Sequence, residues 1–348
     1  MKKRVLLYAT KFMNIYKDII AGLQSLEYEV IWLEANTIPD NPFNKTLGLY
    51  DEINIEKYLL KADAKWRRIL DSCQLSQPFE YFISIVGIDI PTFVFDELTN
   101  RNPQIHKVLY LYDRVEGVYQ IDRFFKYYDD VFSFDITDCR RFNLNFLPIY
   151  WIPVADISEE ETFDIFALAS YSVFKRDRTT LFSKLKKLSQ KRGYKEYIKL
   201  YDSSYAKSKL IFIIKNLLKT FVRQNSLTFW DVYNGLIIGS SVSPDEYRSL
   251  IKKSKVVFDT QAPYQDGLTA RFMWALGAGK KIITTNTYAT KYDFYNSDQI
   301  YIMHNNILDI EEFINKPYIP SMSQIDKILP YRIDNWIKTI LNINSKVL

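Results

Sequence analysis

The strongest constraint on this chain is a pattern that runs its course and then begins again. Short apolar runs, RVLLYAT (residues 4–10), YEVIWLEA (28–35), YFISIVG (81–87), KVLYLYD (107–113) and DDVFSFD (129–135), alternate with stretches whose apolar residues fall at helical spacing. The helical stretches run from Asn14 to Leu26 and over 53–73, with a shorter one in PTFVFDELTNRN. Short apolar runs bounded by turn signals read as buried strands, and strands alternating with helices read as a parallel sheet covered on both faces. LPIYWIP (147–153) closes this half with two prolines around an extended segment, and FDIFALAS (163–170) starts the pattern afresh.

In the second half, TTLFSKLKKLSQKRG (179–193) predicts a helix stopped by Gly193, and EYIKLYD (196–202) and GLIIGSS (235–241) predict strands. SPDEYRSLIKKS (243–254) predicts a helix capped by Ser243 with Pro244 at its first position. VVFDTQ (256–261) and QIYIMH (299–304) read as further strands, and 323–343 as a closing helix interrupted at Pro330. A chain of 348 residues is longer than one ordinary core supports. The expected fold class is therefore α/β, with two doubly wound, Rossmann-like domains facing across a cleft. The N-terminal domain is expected over 1–152, the C-terminal domain over 153–322, and a helical segment over 323–348 that returns to the first domain.

Composition narrows the function classes. Hydrophobic residues at 47% and charged residues at 25% describe a folded protein rather than a disordered one. The net charge of +5 is mild and gives no sign of a nucleic-acid binder. Two cysteines make no disulfide framework and suggest a reducing cytoplasm. MKKRVLLYATKF reads as a first strand rather than a signal peptide, and no apolar run is long enough to span a bilayer. With His106 and His304 as the only histidines, far apart, no zinc-hydrolase pattern forms. The chain has no Asp-x-Asp, the metal-and-diphosphate grip of one large class of sugar transferases, so no metal cofactor is expected.

Ligands of open parallel sheets bind at the carboxyl ends of the strands. The loop after VVFDTQ opens QAPYQDGLTARFMWALGAGKKIITTN (261–286), a loop, a helix and a short strand. Gly267 permits close backbone approach, Thr269 offers a hydroxyl and a first-turn N–H, and Arg271 a planar fork for phosphate oxygens. Gln261, Tyr264, Asp266 and Leu268 lie in the same stretch. The competing reading is a plain helix start with Arg271 solvating the surface. Gly277 and Gly279 fit close helix packing and a left-handed stop. The loop SYSVFKRDRTT supplies Ser170, Ser172, Arg176 and Arg178, with Arg178 at the helix start the preferred cation. Ser241 belongs to GSSVS (239–243), a loop placed to read a nucleobase or to cap a helix.

GLTARFMWALGAGKKIITTN, with YDFYN at 292–296, resembles the C-terminal domain of glycosyltransferases from bacterial capsule, exopolysaccharide and lipopolysaccharide clusters. The likeness extends to YLYD (110–113), FSFDITDCRRFNLNFLP (132–148) and DNWIKTIL (334–341), which together make well under half of the chain. The resemblance implies the GT-B fold and transfer of a sugar from a nucleotide-diphosphate sugar to a hydroxyl of a lipid-linked oligosaccharide. Thr269 and Arg271 would then stabilise the leaving diphosphate without a metal. The retaining pattern Glu-x7-Glu is not met, since Asp266 stands at its first position and Trp274, which suits a core, at its second. An inverting reaction is the expectation.

An inverting transferase needs a base, and Asp113 at the end of KVLYLYD, beside Arg114 and Glu116, is the candidate. Asp135 and Asp138 of FDITD are alternatives, or they form a structural corner that caps the next helix. Residues 206–224 split on a helical wheel, with Lys209, Lys215, Asn216, Lys219 and Arg223 opposite Leu210, Ile213, Ile214, Leu217, Leu218 and Phe221. Such a helix lies in an anionic membrane surface or packs on a sheet. Two other readings remain open: a nucleotide-sugar epimerase of the same fold, and a non-catalytic GT-B-like partner subunit.

Overall fold

The computed structural model describes residues 3–38, 52–72, 75, 77–85, 89–118, 120–153, 160–171, 176–221, 227–261, 265–303 and 310–343. The chain divides into two compact units, Met1–Ile149 with Tyr331–Leu348, and Tyr150–Pro330. Each is built on its own six-stranded sheet.

In the first unit, β1 (Arg4–Ala9), β2 (Glu29–Glu34), β3 (Tyr81–Ile85), β4 (His106–Leu111), β5 (Asp130–Ser133) and β6 (Asn145–Phe146) lie in the order β2-β1-β3-β4-β5-β6. All pairings are parallel. β1 is buried along its whole length, which is why RVLLYA reads as an unbroken apolar run. The helix Glu52–Leu70 buries Tyr58, Ala62, Trp66 and Leu70, a stripe at i, i+4 spacing that covers one face of the sheet.

The second unit contains β7 (Phe163–Ser170), β8 (Glu196–Tyr201), β9 (Ile237–Ile238), β10 (Ser254–Asp259), β11 (Lys281–Thr284) and β12 (Ile300–Ile302). Their order is β9-β8-β7-β10-β11-β12, again with every pairing parallel. Each sheet therefore has a point where consecutive strands diverge, between β1 and β3 in the first and between β7 and β10 in the second. At such a point the connecting loops part and leave room for a ligand at the carboxyl ends. Among the described residues, no helix is long and apolar enough to cross a membrane.

The chain passes from the first unit to the second at 149/150 and back at 330/331, whereas the sequence places these limits at 152/153 and 322/323. The closing segment is two helices, Met322–Ile328 and Ile333–Ile340, separated by a tight turn over Leu329–Tyr331. Pro330 has no N–H to continue the first helix, so the break falls there. Met322–Ile328 stays with the second unit, where Trp151 Nε1 donates to the Ile328 carbonyl at 2.8 Å. Ile333–Ile340 joins the first unit. Trp336 is buried against Tyr110 with ring centroids 4.8 Å apart, and its Nε1 donates to the Pro148 carbonyl at 3.0 Å.

Gly279 takes φ +67°, a conformation that a side chain disfavours, and ends the helix Ala270–Gly277. Gly277 is different: a Cβ there would lie 2.4 Å from Cδ2 of Trp151 and 2.5 Å from its Cε3. The helix packs onto the indole through its missing side chain. Gly277→Ala is expected to lower stability by about 1–3 kcal/mol through overpacking. Gly117→Ala, which meets nothing within 4 Å, should stay within about 0.5 kcal/mol of the parent. Thermal denaturation of the two variants checks both.

Candidate functional site

At the switch point of the second unit, three strand and helix ends converge on one arginine. Arg271, in the first turn of the helix Ala270–Gly277, sends Nε to Asp259 Oδ1 at 3.0 Å. Its Nη1 donates to the Leu168 carbonyl at 3.0 Å and its Nη2 to the Thr260 carbonyl at 2.7 Å. Thr269 caps the same helix by accepting from Phe272 N at 3.2 Å, and its hydroxyl donates to Asp259 Oδ1 at 2.8 Å. Tyr247, from the helix Pro244–Lys252, donates to the Leu168 carbonyl at 3.1 Å. Asp259 and Thr260 are buried, so the ion pair lies in a medium where it is strong and where a lone partner would be costly.

This placement differs from the surface fork that the sequence suggests for Arg271. It bonds inward to β7, to β10 and to the residue after β10, with Tyr247 beside it, so it pins the walls of the switch point. Thr269 likewise spends its hydroxyl on the cap and on Asp259. Arg178, in the first turn of the helix Arg176–Arg192, reaches the same place from the other side. Its Nε donates to Thr260 Oγ1 at 2.9 Å and its Nη2 to the Thr260 carbonyl at 3.1 Å, and it remains part-exposed. First-turn arginines of two helices therefore converge on Thr260, and a helix start carries the positive end of its dipole.

The remaining predicted donor residues surround this point to different degrees. Ser170 is the exposed last residue of β7. Gln261 follows Thr260, and its Oε1 is buried without a hydrogen bond from any described residue. Asp266, Gly267 and Leu268 form the approach to the helix, with Gly267 and Leu268 buried. Asn286, which the sequence reading passed over, holds that approach in place. Its Nδ2 donates to the carbonyls of Asp266 at 3.0 Å and Gly267 at 3.3 Å, and it caps the turn Thr287–Lys291. The signal was an Asn directly after the apolar strand KKIITT. Ser241 is exposed in the turn before the helix that Ser243 caps. Tyr264, Ser172 and His304 lie outside the described residues, as does the side chain of Arg176. Trp274 is buried against Tyr247, with ring centroids 5.9 Å apart, which fits the core role.

In the first unit the three candidate bases separate. Asp113 is exposed just beyond the end of β4. Asp135 is buried and caps the helix Ile136–Phe142, accepting from Thr137 N at 3.0 Å and Asp138 N at 3.2 Å. Asp138 is buried too. It accepts from Val115 N at 2.7 Å, and burial pushes its pKa up. Arg114 stands 3.8 Å from Asp135 and 3.6 Å from Asp138. Asp135 and Asp138 thus close a corner within FDITD, and Asp113 is the one of the three candidates that is exposed.

The switch point of the first unit carries a cluster that sequence reasoning missed. Tyr8 donates to Asp89 Oδ1 at 2.6 Å, and Lys65 donates to the Tyr8 hydroxyl at 3.0 Å and lies 3.5 Å from Asp89 Oδ2. Trp66 Nε1 donates to the Asp89 carbonyl at 2.8 Å. Tyr8 and Asp89 are fully buried, and that burial, with the carboxylate beside it, raises the phenol pKa. The available signal was Lys65 within one turn of the apolar positions Ala62 and Trp66, a place where a lysine needs a buried acid.

The described part of 206–224, up to Phe221, belongs to two helices, Ser203–Lys207 and Lys209–Phe221. Asn216 does not face outward with the lysines. It is buried, accepts from the Tyr171 hydroxyl at 2.7 Å and donates to the Phe212 carbonyl at 2.9 Å. Phe212, at i−4, is the buried apolar residue of that face, whereas Leu210 and Ile214 are exposed. A polar side chain with a partner from a distant part of the chain has overridden the wheel. Lys209 is exposed. The side chains of Lys215, Leu217, Leu218, Lys219 and Phe221, and Arg223 altogether, lie outside the described residues.

Because Arg271 neutralises a buried carboxylate, Arg271→Met should cost about 3–5 kcal/mol in stability with no ligand present. Arg271→Lys should recover only part of it, since an ammonium cannot span three acceptors in a planar fork. Chemical denaturation of the ligand-free protein measures both.

No family model and no curated protein matches the sequence. Solved structures match over the whole length. The alpha,alpha-trehalose 6-phosphate synthase of Burkholderia multivorans superposes with a TM-score of 0.60 at 10% identity, covering 100% of both chains. An alpha,alpha-trehalose-phosphate synthase (UDP-forming) of Burkholderia vietnamiensis gives 0.58 at 10% identity, over 98% of this chain and 96% of that one. The N-terminal domain of a Candida albicans trehalose-6-phosphate phosphatase gives 0.52 at 12% identity, over 100% and 98%. At such identities the likeness concerns the fold: two parallel six-stranded sheets with helices, the GT-B fold of glycosyltransferases.

Proposed function

We propose that this chain is a metal-independent, inverting glycosyltransferase of bacterial capsule or exopolysaccharide assembly. It would move a sugar from a nucleotide-diphosphate sugar to a hydroxyl of a lipid-linked oligosaccharide, working in the cytoplasm at the inner face of the membrane. The observation that carries this reading is the convergence of first-turn arginines from two helices on Thr260, at the strand ends where such folds take ligands. Among the fold neighbours are synthases, one of them UDP-forming by its description, which supports a nucleotide-sugar donor by analogy of fold.

The chemistry divides between the two units. The acceptor oxygen attacks the anomeric carbon, its proton passes to the Asp113 carboxylate, and the bond to the diphosphate oxygen breaks with the electron pair leaving on the nucleoside diphosphate. Arg178 and the two helix dipoles stabilise that charge in place of a metal. Arg271 contributes through Asp259 and Thr260, by fixing the strand ends that position the helix starts. Buried Gln261 Oε1 is an acceptor suited to a ribose hydroxyl of the donor. Trp274, buried in the core, leaves no acid for the ribose contact of the retaining pattern.

Titration with UDP, GDP, dTDP and CMP tests the reading, and one of them should raise the melting temperature with chelator present. Arg178→Gln is expected to weaken that ligand about ten- to a hundredfold, the loss of a charge-assisted contact. Asp113→Asn should keep donor affinity and lower kcat at least about a hundredfold. If no nucleotide binds, the partner-subunit reading replaces this one, and isomerisation of donor without acceptor would favour the epimerase.

A further inference from the structure

The short helix Phe229–Tyr233 is fixed rigidly on its inner side. Thr228 and Asp231 cap it reciprocally, Asp231 is buried and accepts from the Ser183 hydroxyl, and Val232 is buried in the core of the second unit. Its outward side holds Phe229, Trp230 and Tyr233 at 50%, 63% and 72% exposure. The three rings touch one another, with Trp230 and Tyr233 edge to face at 5.7 Å and Phe229 stacked near Tyr233 at 6.4 Å. The helix Lys209–Phe221 contacts this one and exposes Leu210, Ile211 and Ile214 at 68%, 53% and 48%. Single exposed apolar residues are ordinary, but six large ones on two touching helices call for a partner.

The charge around them says which partner. Residues 203–233, through the end of the second helix, contain Lys207, Lys209, Lys215, Lys219 and Arg223 against one acid, the buried Asp231. This segment's net charge of +4 is most of the formal +5 of the whole chain. Lys207 and Lys209 are exposed beside the apolar residues. A second copy of the chain docked symmetrically here would set this cationic segment against itself. An anionic bilayer matches it instead: Trp and Tyr rings suit the headgroup boundary, aliphatic side chains the acyl edge, and lysines the lipid phosphates.

We infer that the exposed faces of the Lys209–Phe221 and Phe229–Tyr233 helices form one surface that docks on anionic lipid, with Phe229, Trp230 and Tyr233 entering the headgroup region. This surface stands independently of the sugar-transfer reading, and its test uses no activity measurement. The full chain is floated with phosphatidylglycerol–phosphatidylcholine vesicles and with phosphatidylcholine alone. The parent protein should float with the anionic vesicles and detach as salt is raised. The triple variant Phe229→Ser, Trp230→Ser, Tyr233→Ser should lose at least about tenfold in partitioning. Lys207→Gln with Lys209→Gln should lose about thirtyfold. Both variants should keep the parent melting temperature, as exposed substitutions do. Absence of flotation at low salt overturns the proposal, and so does an aromatic variant that floats like the parent. A parent dimer that the aromatic variant dissolves, without lipid binding, assigns the surface to self-association and also overturns it.

Discussion

One guanidinium organises the second unit. Arg271 reaches a carbonyl of β7, a carboxylate at the end of β10 and the carbonyl that follows it, all within 3.0 Å. Those strands are neighbours in the sheet, but their connections run to opposite sides, so their ends would otherwise be held together only by the ladder between them. Buried Asp259 makes the arrangement obligatory, since a carboxylate at 1% exposure has no water to turn to. The starts of the helices Arg176–Arg192 and Ala270–Gly277 are fixed by the same few atoms, because Arg178 shares Thr260 with Arg271.

The first unit solves the same topological problem with different chemistry. Where the second places an Arg–Asp pair between β7 and β10, the first places Tyr8, Asp89 and Lys65 near the ends of β1 and β3. Here the helix Glu52–Leu70 supplies both the cation and the indole that holds the Asp89 carbonyl. In both units a buried acid anchors the place where strands diverge.

Much of the architecture was legible in the chain. The strand runs were found in the right order because parallel strands are buried on both faces and so stay apolar throughout, as β1 is. Ser243 and Pro244 marked a helix start, and Gly279 a left-handed stop, because those positions need those residues whatever surrounds them. Thr269 and Arg271 were recognised as a polar pair at a helix start, but their partner Asp259 lies in the preceding strand, and nothing in the local spacing says that the arginine turns inward. Asn216 misled for the same reason: its amphipathic position reads as outward until Tyr171, distant in sequence, is brought to it.

By itself the sequence determined most of the strands and helices, though not β6 or the break at Ser208, that the chain makes two doubly wound units, and which loops carry polar residues at strand ends. Those properties follow from periodicity and caps, which act over a few residues. Tertiary structure alone decided that the Arg271 fork turns inward to Asp259, that Asp135 and Asp138 close a corner while Asp113 meets solvent, and that Trp230 and Tyr233 stand outward. Whether a charged or aromatic side chain is satisfied within the fold or left at its surface depends on which distant groups arrive beside it. Desolvation makes that difference large, and no local pattern encodes it.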